Sequence, residues 1–590
     1  MASSLVPLLL LLLLLLSTSS DVVHGRQHHR HAPIPSPKAD AAPTASPAIR
    51  QACCATRSPD LCQSTLSHLS PSLPANPSAL DLVLGAISAA SNGLQTARAN
   101  AQAILNASAS NFNHTNAARN CLDFLSLSNH RLAAASLAVP AGALADARAF
   151  AGAAELYQYD CWSALKYVND TQQVVDAMAF LANLANVTGG ATAMVAALQR
   201  YGANISLWAP PQTERDGYWP DATVASPCGE AARKEFPRPG TPPDATVCKE
   251  GGCQFGAVQA AVDAAPEHSA GRYVIYIKEG VYEETVRVPF VKTNLVFIGD
   301  GMGKTVITGS LNADTVGVST YNTATVGEYH LYSHHLLLPC EETLMTAKPC
   351  NRFSSVCLST GVSGDGFMAR NLTFANTAGP DKHQAVAFRS DSDLSVLESV
   401  EFLGHQDTLY AHSLRQFYKS CRIAGTVDFI FGNSATVFHD CLIFVLPRQL
   451  NPEHGESNTV TAHGRTDPAQ STGFVFDHCA INGSDEYLAL YRSKPDVHRV
   501  YLGRPWKEYS RTVFIDCNLA EIVRPEGWET WNGSVDFALQ TLFYGEFGSS
   551  GPGANVTARV PWSSQIPAEH LGAYSVENFI QGDQWIPFDL

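Results

Sequence analysis

The sequence is poor in basic residues and in charge generally. Its 590 residues include 39 Lys and Arg against 54 Asp and Glu, for a formal net charge of −15. Without a basic field to displace phosphate counterions, the chain is not expected to bind nucleic acid, nor to adsorb tightly to anionic membranes. Hydrophobic residues are 45% and charged residues 16% of the total, a globular composition. The length exceeds one ordinary core, so at least two folded units are expected.

Long apolar runs are also scarce. The one that stands out is a run of nine leucines, residues 8–16, followed by small polar residues at 17–20. It is too short to span a bilayer and is typical of the apolar core of a secretory signal peptide. We therefore expect residues 1–25 to be a signal peptide, the protein to be secreted, and no membrane partner.

Secretion changes how the 15 cysteines are interpreted, because in an oxidising compartment they are disulfide candidates before they are metal ligands. Nine Asn-x-Ser/Thr sequons agree with the secretory route. Residues 26–48, rich in Pro, Ala and His, are interpreted as a solvated linker and not as a metal site.

Residues 49–207 carry apolar side chains at helical spacing. One such stripe consists of Leu82, Val83, Ala86, Ile87 and Ala90. The same spacing predicts helices over 117–138, 146–168 and 173–185. Short connections between them favour an all-α, up-down four-helix bundle.

The cysteines of this region suggest how the bundle is closed. Cys62 paired with Cys53 or Cys54 would clip an N-terminal hairpin, and Cys121 paired with Cys161 would join two helices. This cysteine layout and helical pattern resemble the plant invertase and pectin methylesterase inhibitor family. The next segment, residues 208–246, holds eight prolines and is predicted to be an interdomain linker.

From residue 247 onward, short β-rich runs alternate with turns, and a degenerate repeat near 20 residues in length appears with insertions. Such a period is typical of an all-β parallel β-helix with one coil per repeat. Six residues are expected to form one inward column: Leu372, Val400, Cys421, Cys441, Cys479 and Cys517. Because coils are ~4.8 Å apart, Cys421–Cys441 and Cys441–Cys479 disulfides are both possible, as is a buried column of free thiols.

Four polar residues interrupt the apolar strand pattern at the spacing of one coil. Gln384 and Gln406 are 22 residues apart, and Asp407 and Asp428 are 21 apart. On successive coils of one face they would share a small surface patch. Two amides beside two carboxylates suit ester hydrolysis, although a purely structural polar ladder is the alternative.

Each member of this set has an expected chemical role. Asp428 lies in an apolar segment and needs a cationic partner, for which Arg504 is the candidate; the pair would keep Asp428 ionised and nucleophilic. Asp407, beside that charge, would have a raised pKa and would donate and later accept a proton. Gln406 and Gln384 would direct amide N–H groups at the developing oxyanion.

Five segments resemble the plant pectinesterase family in their order and spacing over residues 247–590. They are Gly280-Val-Tyr-Glu283, Gln384-Ala-Val-Ala, Gly404-His-Gln-Asp-Thr-Leu-Tyr410, Gly425-Thr-Val-Asp-Phe-Ile-Phe-Gly432 and Leu502-Gly-Arg-Pro-Trp506. With the helical region upstream, the chain resembles a type I enzyme that carries an inhibitor-like pro-region. The resemblance implies a right-handed parallel β-helix without cofactor or metal. It also implies hydrolysis of the methyl esters of homogalacturonan (pectin) to pectate and methanol in the cell wall.

The same resemblance assigns roles to individual residues. It makes Asp428 the nucleophile, Asp407 the proton donor and acceptor, and Gln406 the transition-state stabiliser. It further implies that four residues contact substrate, namely Thr320, Gln384, Arg504 and Trp506. The helical pro-region is implied to silence the enzyme or to assist its folding.

Residues 328–362 depart from the family pattern by about 30 additional residues, including three His and three Cys. Because this insertion follows Thr320, it would crowd the substrate groove. The alternative reading is therefore a catalytically impaired protein that binds pectin or acts as an inhibitor. A rival enzyme class is a β-helix polysaccharide hydrolase or lyase, which would generate new reducing ends or unsaturated products.

Overall fold

The computed structural model describes residues 45–108, 111–219, 236–237, 241–315, 318–327, 364–448, 456–534 and 536–587. Residues 44–590 form one compact unit. The expected signal peptide, most of the linker at 26–48 and the segment 328–362 lie outside the described residues.

The N-terminal part of the chain is helical. Its helices are α1 (Pro47–Cys53), α2 (Pro59–His68), α3 (Ala79–Ala107), α4 (Phe112–Ala138), α5 (Leu144–Lys166) and α6 (Gln172–Tyr201). The predicted stripe on α3 is buried, and α3 to α6 are the four long helices, so the predicted bundle is confirmed.

Helix α6 extends well beyond the predicted end at residue 185. The sequence pattern is interrupted there by Gly189 and Gly190, but the missing side chain at Gly189 serves packing. A Cβ at that position would lie 3.2 Å from the Glu155 carboxylate. By length and composition α6 is the one described helix that could cross a membrane, yet 56% of its apolar window is buried inside the protein, as in a core helix.

The remainder of the chain folds mainly into two parallel sheets. The larger one contains β1 (Ala245–Val247), β2 (Tyr273–Ile277), β3 (Gly280–Glu283), β5 (Leu295–Gly299), β6 (Thr305–Gly309), β8 (Met368–Asn376), β10 (Ser395–Leu403), β12 (Arg415–Lys419), β13 (Arg422–Gly425), β15 (Ala435–His439), β16 (Leu442–Val445), β18 (Gly473–Asp477), β19 (Ala480–Gly483), β21 (Arg511–Ile515), β22 (Asn518–Leu519), β23 (Phe543–Phe547) and β24 (Ser564–Gln565). The smaller one contains β4 (Val286–Arg287), β7 (Val326–Gly327), β9 (Phe388–Ser390), β11 (Leu409–Ala411), β14 (Val427–Gly432), β17 (Glu456–His463) and β20 (His498–Gly503). Short helices α7 (Val258–Ala264), α8 (Asp485–Ser493) and α9 (Val576–Ile580) accompany them.

Successive coils pair in parallel and in register. Strand β12 pairs with β15, β15 with β18, and β18 with β21, each one coil further along the chain. The predicted parallel β-helix is therefore confirmed. Its core contains stacked aromatic rings, such as Phe438 between Tyr418 and Phe476 at centroid distances of 4.9 and 4.6 Å.

The expected inward column is present, with every member at most 1% exposed. Each member follows a residue with positive φ that turns the chain between strands. These turn residues are Asn371, Ser399, Ser420, Asp440, His478 and Asp516, with φ from 50° to 59°. Left-handed backbone at non-glycine positions is tolerated best by Asn, Asp and His, which fill four of the six positions.

The cysteine expectations are met in part. Cys121 pairs with Cys161 as predicted, and Cys62 pairs with Cys53. A third bridge, Cys248–Cys253, was not foreseen.

The two disulfides considered in the column are wrong for this structure, because its cysteines are buried free thiols. Each Sγ faces a main-chain carbonyl of the preceding coil. Cys441 Sγ, for example, lies 3.6 Å from the Tyr418 carbonyl oxygen and Cys479 Sγ 3.3 Å from that of Phe438. Of the earlier alternatives, the column of buried thiols is the one observed.

The predicted linker is more ordered than its prolines suggest. Within residues 208–219, Glu214 is buried and forms an ion pair of 2.8 Å with Arg511 of the β-helix. Trp219 stacks on His570 at a ring distance of 4.5 Å. The described part of this segment is thus a strap that packs against the β-helix.

The aromatic stack predicts a large effect of removing Phe438. Phe438→Ala should cost about 3–5 kcal/mol, because it leaves a cavity between two rings that cannot close on a rigid coil. The measurement is the thermal unfolding midpoint of the purified protein. The matched control is Leu442→Ala, which changes a residue four positions further along the same coil that is 44% exposed. Equal midpoints for the two variants would contradict this account of the core.

Candidate functional site

The two aspartates occupy matching positions on neighbouring coils. Asp407 precedes β11 by two residues, Asp428 lies in β14, and these strands pair in parallel with Leu409 opposite Ile430. The Asp407 amide also donates a hydrogen bond to the Val427 carbonyl, 3.0 Å away. Both aspartates have positive φ, 64° and 50°, a strained conformation for non-glycine residues that concentrates at functional sites.

Asp428 is held by a bidentate ion pair. Arg504, just after β20, donates from Nε and a terminal nitrogen to the two carboxylate oxygens at 2.8 and 2.7 Å. The Asp428 side chain is 8% and the Arg504 side chain 18% exposed. A planar fork of this kind forms two charge-assisted hydrogen bonds to one carboxylate and fixes its orientation. The predicted partner of Asp428 is thus in place.

Asp407 has the opposite electrostatic environment. Burial and the neighbouring Asp428 carboxylate raise its pKa well above the usual range, against a lowering effect of Arg504. Burial by itself would lower the pKa of Arg504. The carboxylates of Asp428 and nearby acidic residues together have the larger, opposite effect, so the pKa of Arg504 is raised. One carboxylate is therefore paired with a cation while the pKa of the other is raised, an arrangement that suits a nucleophile and an acid.

The two glutamines lie on adjacent coils beside the aspartates. The Ala385 amide donates to the Gln406 carbonyl over 3.1 Å, which places Gln384 and Gln406 on neighbouring coils. Both side chains are half-buried. Their amides make no hydrogen bond within the described residues, so their N–H groups are available to a ligand.

An aromatic cluster forms a wall of the site. Tyr410 and Phe431 stack at 4.0 Å, and the half-buried Trp506 packs edge-on at 6.5 and 6.0 Å from them. Gly464 lies against the Trp506 ring, since a Cβ there would approach it to 2.7 Å. Phe429, in contrast, is fully buried in the β-helix core and cannot face a ligand.

Helix α4 contacts the turn that contains Thr320. Asn120 of α4 exchanges hydrogen bonds with Asn322 at 2.8 and 3.1 Å. Phe124 of the same helix packs edge-on against Tyr321, with ring centroids 4.4 Å apart. Thr320 itself is half-buried. The predicted substrate-binding turn is therefore in contact with helix α4 through Asn322 and Tyr321.

Helix α5 contacts the side of the site marked by Trp506. Lys507, whose ammonium lies 4.9 Å above the Trp506 ring, donates a hydrogen bond to the Tyr159 hydroxyl. Burial lowers the pKa of Lys507 to about 8. The next helix residue, Asp160, lies 2.9 Å from the buried His412 imidazole.

Further contacts extend this interface along the β-helix. Arg131 of α4 forms a bidentate pair with Asp365 at 2.8 Å, and Arg415 bridges Asp393 of the β-helix and Asp146 of α5, at 2.6 Å from each. The bundle is therefore joined to the β-helix by charged and polar side chains at the Thr320 turn, at Lys507, and at Asp365 and Arg415.

The predicted residues are thus largely brought together. The two glutamines and the two aspartates lie on three successive coils, and Arg504 reaches Asp428 from two coils further along. Trp506 packs against Tyr410 and Phe431 of these coils. Sequence reasoning missed Trp531, whose ring lies 4.7 Å from the Arg504 guanidinium. The sequence feature that could have indicated Trp531 is the pair of tryptophans in the turn-rich segment Gly527-Trp-Glu-Thr-Trp-Asn-Gly533. The one described group of side chains that could hold a metal ion lies elsewhere, at His439, Asp477 and His478.

Comparison with known families assigns both parts of the chain. Residues 244–332 and 341–583 match the pectinesterase family. Residues 47–194 match the plant invertase/pectin methylesterase inhibitor family. The pectinesterase match is interrupted inside the segment 328–362.

Individual relatives share this two-part layout. The chain is 51% identical over 543 residues to a probable pectinesterase/pectinesterase inhibitor of Arabidopsis thaliana, covering 91% of this chain and 84% of the relative. It is 43% identical to a pectinesterase/pectinesterase inhibitor of Prunus persica over 64% of each chain. The solved structure of a pectin methylesterase from carrot is 41% identical, covers 59% of this chain and 95% of that one, and superposes with a TM-score of 0.50.

Proposed function

Because the chain belongs to the pectinesterase family and is a pectinesterase with an inhibitor-like domain ahead of it, we propose that Asp428, Asp407 and Gln406 perform its ester hydrolysis. The observation that carries the proposal is the bidentate Arg504–Asp428 pair beside a carboxyl whose pKa is raised. Two like carboxylates so close together would otherwise compete for one proton, and Arg504 decides which of them stays ionised.

In the first half-reaction a carboxylate oxygen of Asp428 attacks the ester carbonyl. The carbonyl oxygen becomes an oxyanion that accepts hydrogen bonds from the Gln406 and Gln384 amides. The methoxy group then leaves with the proton of Asp407, which yields methanol and an acyl anhydride on Asp428. The second half-reaction reverses these roles: Asp407, now ionised, takes a proton from water, the hydroxide attacks the acyl carbonyl, and Asp428 is released as carboxylate.

The proposed substrate is methyl-esterified homogalacturonan in the cell wall. Trp506 offers a half-exposed aromatic face next to the reacting groups, and aromatic faces stack on pyranose rings. Thr320, in the turn that contacts helix α4, would also contact the polymer. A secretory route fits the leucine run at residues 8–16, which delivers the enzyme to that polymer.

Two other readings are weaker. A polysaccharide hydrolase requires two carboxyl groups free to act across a glycosidic bond. Here the two amides beside the carboxyl pair suit the oxyanion of an acyl transfer, which glycosidic cleavage does not form. An impaired, pectin-binding protein would have no need to keep the Arg504–Asp428 pair intact. The segment 328–362, on which that reading depends, lies outside the described residues.

Removal of the nucleophile is the direct test. Asp428→Asn keeps the shape of the side chain but removes the charge that attacks the ester, so methanol release from pectin should fall by more than about a thousandfold. Binding of pectin should largely survive, because the aromatic wall is intact. The measurement is methanol release under initial-rate conditions together with a pectin-binding assay.

The matched control is Asp440→Asn, which makes the same change at an exposed aspartate whose φ, 53°, is also positive. It should leave the rate unchanged. If Asp428→Asn and Asp440→Asn were equally active, the proposed nucleophile would be wrong. New reducing ends or unsaturated products from the wild-type protein would instead favour the polysaccharide-cleaving reading.

The raised pKa of Asp407 predicts an alkaline limit on the reaction. Methanol departure needs the protonated carboxyl, so kcat/KM should fall as the pH rises through the apparent pKa of the Asp407–Asp428 pair, which lies well above that of an ordinary aspartate. Asp407→Asn should be slow and should lose this alkaline limb. A variant that kept the limb at the same pH would show that another group titrates there.

We further propose that the bundle restrains the enzyme. Its helices α4 and α5 contact the Thr320 turn and the Trp506–Lys507 segment, the two segments expected to contact the polysaccharide. A bundle in this position leaves a long polymer less room than a free β-helix does. This contact supports the autoinhibitory role that the resemblance implies.

Weakening the contact from the bundle side tests this role without altering the β-helix. The combined variant Asn120→Ala, Arg131→Ala and Asp160→Asn removes hydrogen bonds and ion pairs to Asn322, Asp365 and His412. The expected result is a higher rate of methanol release from pectin and faster proteolytic separation of the bundle.

The matched control changes three exposed bundle residues instead, Leu137→Ala, Tyr167→Ala and Val175→Ala. It should behave as the wild type in both assays. If proteolysis showed that the bundle had separated while the rate on pectin stayed the same, intramolecular inhibition would be refuted.

A further inference from the structure

A cluster of two histidines and an aspartate lies at a corner of the β-helix. His439 ends β15 and Asp477 ends β18, and the two residues are directly opposite each other in the parallel ladder. His478 follows Asp477 in the left-handed turn position, with φ of 53°. The cluster belongs to the larger sheet, whereas Asp428 and the strand after Asp407 belong to the smaller one.

The ligating atoms of this cluster converge on one point. His439 Nδ1 lies 2.8 Å from one Asp477 oxygen, and His478 Nδ1 lies 2.7 Å from the other. All three side chains present a ligand atom within 4.8 Å of one another. Two imidazole nitrogens and a carboxylate oxygen at this separation need only small side-chain rotations to surround a Zn²⁺ ion at ~2.0–2.2 Å.

The surroundings favour a cation and leave it accessible. The side chains of His439, Asp477 and His478 are 36%, 27% and 61% exposed, so solvent can reach an ion and fill its remaining positions. Asp440 and Asp516 occupy the turn positions one coil before and one coil after His478. They add negative charge next to the cluster, which attracts a divalent ion.

From this geometry we propose that His439, Asp477 and His478 form a binding site for a divalent transition-metal ion such as zinc. The two imidazoles select zinc, copper or nickel over calcium and magnesium, which prefer oxygen ligands. A bound ion joins two successive coils through His439 on one and Asp477 with His478 on the next. The site therefore stabilises the β-helix and stands apart from the ester chemistry.

Zinc titration of the full-length, metal-free protein tests the proposal by calorimetry and by the thermal unfolding midpoint. The wild type should bind zinc, with a midpoint that rises as zinc is added. His439→Asn and His478→Asn should each lose one equivalent of zinc or weaken it by an order of magnitude or more. Methanol release by these variants without added zinc should equal that of the wild type, which shows that they fold.

The matched control is His383→Asn, an exposed histidine near Asp314 with its side chain 72% exposed. It should keep the full zinc stoichiometry and the zinc-dependent rise in midpoint. Any zinc bound by the histidines at residues 28–31 would be bound by every variant as well. The measured quantity is therefore the difference in zinc stoichiometry between the wild type and each variant. Identical titrations for the wild type, His439→Asn and His478→Asn, or no zinc binding by the wild type, would overturn the proposal.

Discussion

Parallel, in-register stacking of coils is the constraint on which the site depends. Residues about one coil apart in sequence become lateral neighbours, so Asp407 and Asp428 share one patch although 21 residues separate them. Stacking alone would leave two buried carboxyl groups in competition for one proton. Arg504, brought in from a later coil, forms two hydrogen bonds with only one of them, and this asymmetry gives the two carboxyl groups different electrostatic environments.

The contact between the bundle and the β-helix follows a different physical logic. It relies on Arg131 with Asp365 and on Arg415 between Asp393 and Asp146, charged groups that are costly to bury. Such pairs add little net stability compared with apolar packing, but each is satisfied in only one relative orientation. If the bundle and the β-helix separated, these charged side chains would be hydrated again. An interface of this kind fixes the orientation of the bundle on the β-helix.

Sequence reasoning reached most of the site because its residues obey the coil period or a chemical necessity. The glutamines and aspartates were found by spacing, and Arg504 by the need of Asp428 for a cation. Trp531 could not be found in this way, since a loop with no period places it against Arg504. The cysteines show the same limit: coil spacing brings Cys441 and Cys479 close, but side-chain direction decides between a bond and two thiols.

Left-handed backbone positions occur both at the candidate site and at the corners of the β-helix. The aspartates at φ 64° and 50° and the corner residues at 50° to 59° all depart from the strand conformation at one residue. At a corner this turns the chain so that the following residue enters the inward column. At the candidate site the same departure occurs at Asp428, within β14, and at Asp407, two residues before β11. The strain that each position costs is offset by the ladder on either side, so the same repeated coil that builds the core can also hold a reactive pair.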